Sequence, residues 1–385
     1  MIDEKEIINL GLDYLRRKEY DQAVVTFTRL IELSPKCSAA WYNRGIASFA
    51  LGNIDAAFDD YNQAIVYDAN DANAYVAMGL AHVTRKNYDA AIDDYNHAIE
   101  CNPNHLEAHG NRGNAFEMTK QYKEAIKEYN TVIELNTGDY RAYMNRAYVH
   151  LITGDFEKAL ADYTKVVELN PANIKALCYR GDVYIKLNNL QLALQDFDHA
   201  IELAPQNCEA FINRGLAKLA MGNHDGALAD LNQAIRINPD NTKALYYRGI
   251  FYARVGDLVQ ALNDYSEVLE HVTDDAQAYC YRGVVHTRMG NMAEAIKDYN
   301  SAIEIDRDYA IAWYNRGLVL RFQGNYQEAV DNFTHTIDLT PDYIPAYENR
   351  AVTYNMLGEK ELAKSDLEKM VELQNSKMVK QPALV

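Results

Sequence analysis

No apolar run in this chain approaches the roughly 20 residues that a membrane-crossing helix requires, so no membrane insertion is expected. Cysteine is scarce. Cys37, Cys101, Cys178, Cys208 and Cys280 are odd in number, widely scattered and never in a CxxC pair, which suits reduced thiols better than a disulfide framework or a zinc site. Positive charge is in deficit: 38 Lys and Arg stand against 55 Asp and Glu, for a net charge of −17. A nucleic-acid binder needs a basic face to displace counterions from phosphates, so no nucleic-acid partner is expected. Adhesion to an anionic bilayer is disfavoured for the same reason. The opening Met1-Ile2-Asp3-Glu4-Lys5-Glu6 lacks the basic segment and apolar core of a secretion signal. Together these absences predict a soluble, cytoplasmic protein, and 48% hydrophobic residues supply enough apolar surface for a folded core.

What the chain has in abundance is repetition. Trp41-Tyr42-Asn43-Arg44-Gly45 returns as Trp313-Tyr314-Asn315-Arg316-Gly317, 272 residues or eight times 34 later. Repeats follow one another without insertion or deletion at 4-37, 38-71, 72-105, 106-139, 140-173, 174-207, 208-241, 242-275, 276-309, 310-343 and 344-377. They cover 374 of 385 residues, leaving 1-3 as an N-terminal extension and 378-385 as a C-terminal tail.

With each repeat numbered 1 to 34, position 20 is Ala in all eleven, from Ala23 to Ala363, and position 8 is always Gly or Ala, as at Gly45 and Ala147. Position 24 is large and apolar or aromatic, as at Phe27, Tyr61 and Leu231; seven repeats have Gly at 15 and six have Pro at 32. Positions 4, 7, 8 and 11 share one stripe of a helix, and 20, 24 and 27 share one stripe of a second. Small residues at 8 and 20 let two helix backbones approach closely, and the group at 24 fills the space beside that contact. Gly at 15 suits a left-handed stop to the first helix, and Pro at 32 cannot continue the second. The pattern resembles the tetratricopeptide repeat family, in a bacterial-type variant marked by Asn-Arg-Gly and Asp-Tyr. The resemblance implies an all-α fold: an α-solenoid whose eleven helical hairpins stack into a right-handed superhelix, with first helices lining the concave wall.

Position 7 is Arg in nine repeats: Arg44, Arg112, Arg146, Arg180, Arg214, Arg248, Arg282, Arg316 and Arg350. Position 23 is acidic in nine: Asp60, Asp94, Glu128, Asp162, Asp196, Asp230, Asp264, Asp298 and Asp366. The arginines are either a row of anion sites or members of buried ion pairs. Pairing is favoured, because position 7 lies on the packed stripe, where a charge without a partner is strongly unfavourable. Pairing within each repeat leaves two mismatches, Met78 with Asp94 and Arg316 with Asn332, fewer than pairing between repeats.

First-helix positions 2, 5, 6, 9, 12 and 13 share the opposite face. Position 6 is Asn9, Asn43, Asn111, Asn145, Asn213, Asn315 and Asn349 in seven repeats and Tyr179, Tyr247 and Tyr281 in three; Tyr42, Tyr246 and Tyr314 stand at position 5. An amide carries both a donor and an acceptor, so a regular row of them suits the main chain of an extended peptide. The row resembles the asparagine ladder of O-linked N-acetylglucosamine transferase, but with 11 residues outside the repeats a catalytic domain like that enzyme's is not expected. Nine basic residues on this face, among them Lys175, Lys186, Lys243, Arg254, Arg288 and Arg321, outnumber five acidic ones, which favours acidic segments in the groove.

The sequence holds no HExxH or other helical histidine pair and no phosphate-cradling Gly-rich loop, so no metal, no cofactor and no catalytic residues are expected. Position 5 holds no Lys and position 6 no Arg, so the clamp of the family's co-chaperone members is not expected either. The reading is a non-catalytic scaffold or adaptor for protein–protein interaction, binding an extended, acidic segment of a partner protein. The alternative is a self-assembling structural protein, a homo-oligomer stacked through its solenoid ends. It is prompted by the stretch Gln374 to Val385, which reads as too short and irregular for a capping helix.

Overall fold

The computed structural model describes residues 4–380, with side chains to residue 376, and the regular elements in that range are all α-helices. The chain divides into two units, one ending at Leu203 and the other beginning at Ala204. The first unit holds α1 (Glu4–Arg16), α2 (Tyr20–Leu33), α3 (Ser38–Ala50), α4 (Ile54–Tyr67), α5 (Ala72–Thr84), α6 (Tyr88–Cys101), α7 (Leu106–Met118), α8 (Tyr122–Leu135), α9 (Tyr140–Ile152), α10 (Phe156–Leu169), α11 (Ile174–Lys186) and α12 (Leu190–Leu203). The second holds α13 (Cys208–Ala220), α14 (His224–Ile237), α15 (Thr242–Val255), α16 (Leu258–His271), α17 (Ala276–Met289), α18 (Met292–Ile305), α19 (Ala310–Phe322), α20 (Tyr326–Leu339), α21 (Ile344–Leu357) and α22 (Lys360–Lys380). In each unit, odd and even helices alternate as the two arms of successive hairpins.

The hairpin contact is the one the spacing predicts. All eleven alanines at position 20 are at most 2% exposed. A Cβ on Gly45 would stand 2.6 Å from the Tyr61 ring, and one on Gly181 2.5 Å from the Phe197 ring. The two arms therefore reach close-packed contact because a side chain is missing at that point. Asp71, Asn173, Asn241 and Asp275 start the next odd helix by accepting hydrogen bonds from its first free N–H groups.

Each hairpin turns through one left-handed residue. The seven glycines at position 15 have φ between 78° and 91°, and in the other four repeats Lys18, Lys86, Lys120 and Asn188 take φ of 59–61°. An L side chain pays a steric penalty there. Lys120→Gly should therefore stabilise the protein by about 0.5–1 kcal/mol. A urea midpoint that stays put or falls would show that the turn carries no strain.

Within each unit the odd helices also touch one another: α1 with α3, α3 with α5, α5 with α7 and α7 with α9 in the first, α13 with α15, α17 with α19 and α19 with α21 in the second. Among the described residues, no two even helices of one unit pack as closely. The odd helices thus form the tighter, inner layer of each unit, and the even ones the outer layer.

One sequence expectation needs correction. The stretch from Gln374 is not irregular, because α22 continues to Lys380. The reason is local: no Gly or Pro interrupts the run until Pro382. Residues 378–380 therefore belong to this helix, while 1–3 and 381–385 lie outside the described residues.

Candidate functional site

The recurrent arginines come first, since they could have been the site. In eight hairpins Nη2 lies 2.6–2.8 Å from the carboxylate of the same hairpin: Asp60, Glu128, Asp162, Asp196, Asp230, Asp264, Asp298 and Asp366. These carboxylates are 2–6% exposed. Nη1 reaches the other way, to the even helix of the preceding hairpin: Arg44 to Thr28 (3.2 Å), Arg112 to Asn96 (2.7 Å), Arg248 to Asn232 (2.8 Å) and Arg350 to Thr334 (2.9 Å). Trp41 and Trp313 stack under Arg44 and Arg316, with ring centroids 4.8 and 4.6 Å from the guanidinium carbon. Arg44, Arg112, Arg146, Arg248, Arg316 and Arg350 are thus ties between hairpins rather than open anion sites. The sequence reading found the carboxylate and missed the second bond, whose only trace is the run of polar residues at position 25.

Two rungs are incomplete, as the sequence indicated. Arg316 Nε donates to the Asn332 amide oxygen at 2.8 Å in place of a carboxylate. Asp94, opposite Met78, is 8% exposed and has His82 Nε2 at 3.7 Å. Burial pushes the Asp94 carboxyl up to about 7. At the next rung burial also works against Glu128, but hydrogen bonds from His109 (2.7 Å) and Arg112 outweigh it and hold the carboxyl below its ordinary range.

The inner faces of the odd helices meet across neighbouring hairpins. In the first unit Asn145 Nδ2 donates to Asn114 Oδ1 (2.9 Å), and Tyr179 packs on Tyr148 and Tyr163 with ring centroids 5.9 and 5.7 Å away. Lys175 Nζ lies 5.5 Å above the Tyr179 ring. Asn43 turns back to the Ala39 carbonyl (2.7 Å), Asn111 is half-buried, and Asn9 and Lys186 are exposed. In the second unit Asn315 Nδ2 meets Cys280 Sγ (3.7 Å) and Asn349 Nδ2 donates to Tyr314 Oη (3.0 Å). Tyr246 has the rings of Tyr247 and Tyr281 at 5.7 and 5.4 Å. Asn213 is buried at 4% exposure and is thus packing rather than surface. Asn145, Asn315 and Asn349 thus bridge neighbouring hairpins through their amides, and Asn349 commits both amide protons, the second to the Pro345 carbonyl.

The cations of this wall are unevenly available. Lys243 lies 3.8 Å from Glu209, and Arg288 Nη1 donates to the Ala253 carbonyl. Arg254 is exposed and Arg321 half-buried, neither in an ion pair among the described residues.

The row also has a gap that the ladder pattern hid. On α5 Ala77 stands where the ladder has an amide, and with Asn73, Val76 and Leu80 and with Tyr42, Ile46 and Phe49 of α3 it lines a cavity of about 200 Å³. Next to it, Glu107, Asn111, Asn114, Arg141 and Asn145 line a polar cavity of about 440 Å³. No cluster of three or more metal-ligating side chains occurs among the described residues. None of the described helices is long and apolar enough to cross a membrane.

Family profiles described as "Tetratricopeptide repeat" match residues 8–74, 72–105, 94–127, 140–173, 174–207, 274–339 and 344–377, and one described as "TPR repeat" matches 215–256. The "Heat shock protein sti1 homolog" of Schizosaccharomyces pombe is 34% identical over 74 residues, a stretch that is 18% of this chain and 12% of that relative. A tetratricopeptide repeat protein from Parabacteroides merdae superposes with a TM-score of 0.56 at 23% identity, over 65% of this chain and 98% of its own. Yeast Tom70 gives 0.52 at 14% identity over 96% and 92% of the two chains. The structure of the APC/C hetero-tetramer Cut9–Hcn1 gives 0.51 at 14% over 97% and 94%. At these identities the solved structures share the fold. With a small-residue contact built into its hairpins and matches running from residue 8 to residue 377, this chain belongs to the tetratricopeptide repeat family.

Proposed function

We propose that the chain is a non-catalytic scaffold that holds extended segments of partner proteins along the inner faces of its odd helices. The observation that carries this reading is the continuity of amide and tyrosine side chains from one odd helix to the next, as in Asn145–Asn114 and Tyr246–Tyr281. Such a strip offers paired donors and acceptors and flat amphipathic rings along one face. In the second unit Arg254 and Arg321 add positive charge without internal partners, so an acidic segment is the occupant favoured there.

The test is a titration of acidic and basic extended peptides into the intact protein and into Arg254→Glu/Arg321→Glu. Acidic peptides should bind the intact protein more tightly at low salt and lose about tenfold or more in the variant. Equal affinity of both peptides for both proteins ends the acidic reading.

Self-association through the solenoid ends is a second reading. It is supported by Leu362, Leu367 and Val371, which leave 41–48% of their surface exposed on the terminal α22. Light scattering over a concentration series tests it, and a constant monomer mass rules it out.

A further inference from the structure

The cavity between α3 and α5 differs in kind from the rest of the wall. Tyr42, Ile46, Phe49, Val76, Ala77 and Leu80 give it a mainly apolar lining, with Asn73 and Glu107 as its polar members. At about 200 Å³ it is smaller than the roughly 300–1,000 Å³ of a site for a whole small molecule. It has room for one large apolar side chain projecting from a longer ligand.

Glu107 lines both this cavity and the polar one beside it, so a chain passing from one to the other crosses its carboxylate. The residue is exposed and makes no ion pair among the described residues. The nearby cation is already compensated: Arg141 donates to Asp139 through Nε and Nη2, both at 3.1 Å. Glu117, also on α7, accepts a hydrogen bond from Tyr129 Oη at 3.1 Å and has Lys175 as a neighbouring cation. The local field therefore opposes that of the second unit's wall and is complementary to a cation.

We infer that the first unit binds a partner segment in which a large aliphatic or aromatic residue is followed within a few positions by Lys or Arg. The apolar side chain enters the cavity between α3 and α5, and the cation pairs with Glu107, while Asn111, Asn114 and Asn145 meet the main chain beyond it. This rests on the groove reading above and assigns the first unit a ligand chemistry opposite in charge to the second unit's.

The experiment uses the full chain and an array of short Ser/Gly peptides, each with one Leu and one charged residue, Arg or Glu, at varied spacings. Binding is read by fluorescence anisotropy. Once Arg254→Glu/Arg321→Glu has silenced the second unit's preference for acid, Leu-plus-Arg peptides should bind best, losing about tenfold when Leu becomes Ser. Glu107→Lys should reverse the preference from Arg to Glu, and Ala77→Trp, which fills the cavity, should remove the dependence on Leu. Glu107 is exposed, so its variant remains informative even if the Ala77 change disturbs folding. Indifference to Leu and to Glu107→Lys, with acidic peptides still captured by the intact protein through Arg254 and Arg321, overturns this inference and leaves the groove reading standing. Failure of every peptide to bind overturns both.

Discussion

Arg146→Met should destabilise the first unit by about 3–5 kcal/mol, because it leaves Asp162 buried without a partner. Asp162 is 6% exposed and accepts from Arg146 Nε at 2.8 Å and Nη2 at 2.6 Å, while Nη1 ties the same guanidinium to Asn130 on the preceding hairpin. The loss measures a stranded charge, not the worth of the pair. Arg146→Met/Asp162→Leu, which removes both charges, should accordingly recover most of the stability. Urea unfolding followed by circular dichroism reads both, and in a stacked array the damage should be centred on the altered hairpin. A single variant as stable as the parent, or a double variant no better than the single, would contradict the role assigned to these ties.

Met78→Arg should do the reverse. Asp94 already lies where the carboxylates of the other rungs lie, Tyr75 precedes Met78 by the interval that separates Trp41 from Arg44, and Asn62 precedes it by the interval that separates Asn96 from Arg112. The slot for a guanidinium is complete except for the arginine. In the parent protein the Asp94 carboxyl stands at about 7 rather than its ordinary 3.8 because it is buried, with Asp93 and His97 as further charged neighbours. Folding therefore favours its protonated form. That contribution is fully present below about pH 4 and is lost as the pH rises through 7. At about 1.36 kcal/mol per pH unit the whole span is on the order of 4 kcal/mol. An arginine at 78 should thus add about 1–3 kcal/mol near pH 8 and progressively less toward pH 5. Taking the difference between the two proteins at each pH cancels the titration of groups remote from this rung. A difference that does not change with pH, or a variant less stable near pH 8, would mean that Asp94 is satisfied in some other way.

Pairing of position 7 with position 23 was legible because the exceptions are informative: Leu10 and Thr26 lack both charges in one repeat, as expected of partners. The second anchor of the same guanidinium, on the preceding hairpin, leaves no such signature, since Thr28, Asn96 and Thr334 read as ordinary polar surface. Gly at position 15 announced a left-handed turn. Lys18, Lys86 and Lys120 also take a positive φ because the flanking arms impose it, with no local propensity to say so, whereas Asn188 is of a type that tolerates it. The spacing of the asparagine row by itself places those positions on one face of the odd helices. The row's internal bonds, and the apolar cavity opposite Glu107, arise from where two odd helices meet.

The sequence by itself determined the hairpin, its period and its buried charges, because each depends on residues a fixed number of positions apart along one chain. Only the tertiary structure decided which amides were still available, which cations were already paired and where the wall opens into a cavity. Those properties belong to the gap between neighbouring hairpins, whose width and partners are set by packing and not by any one repeat.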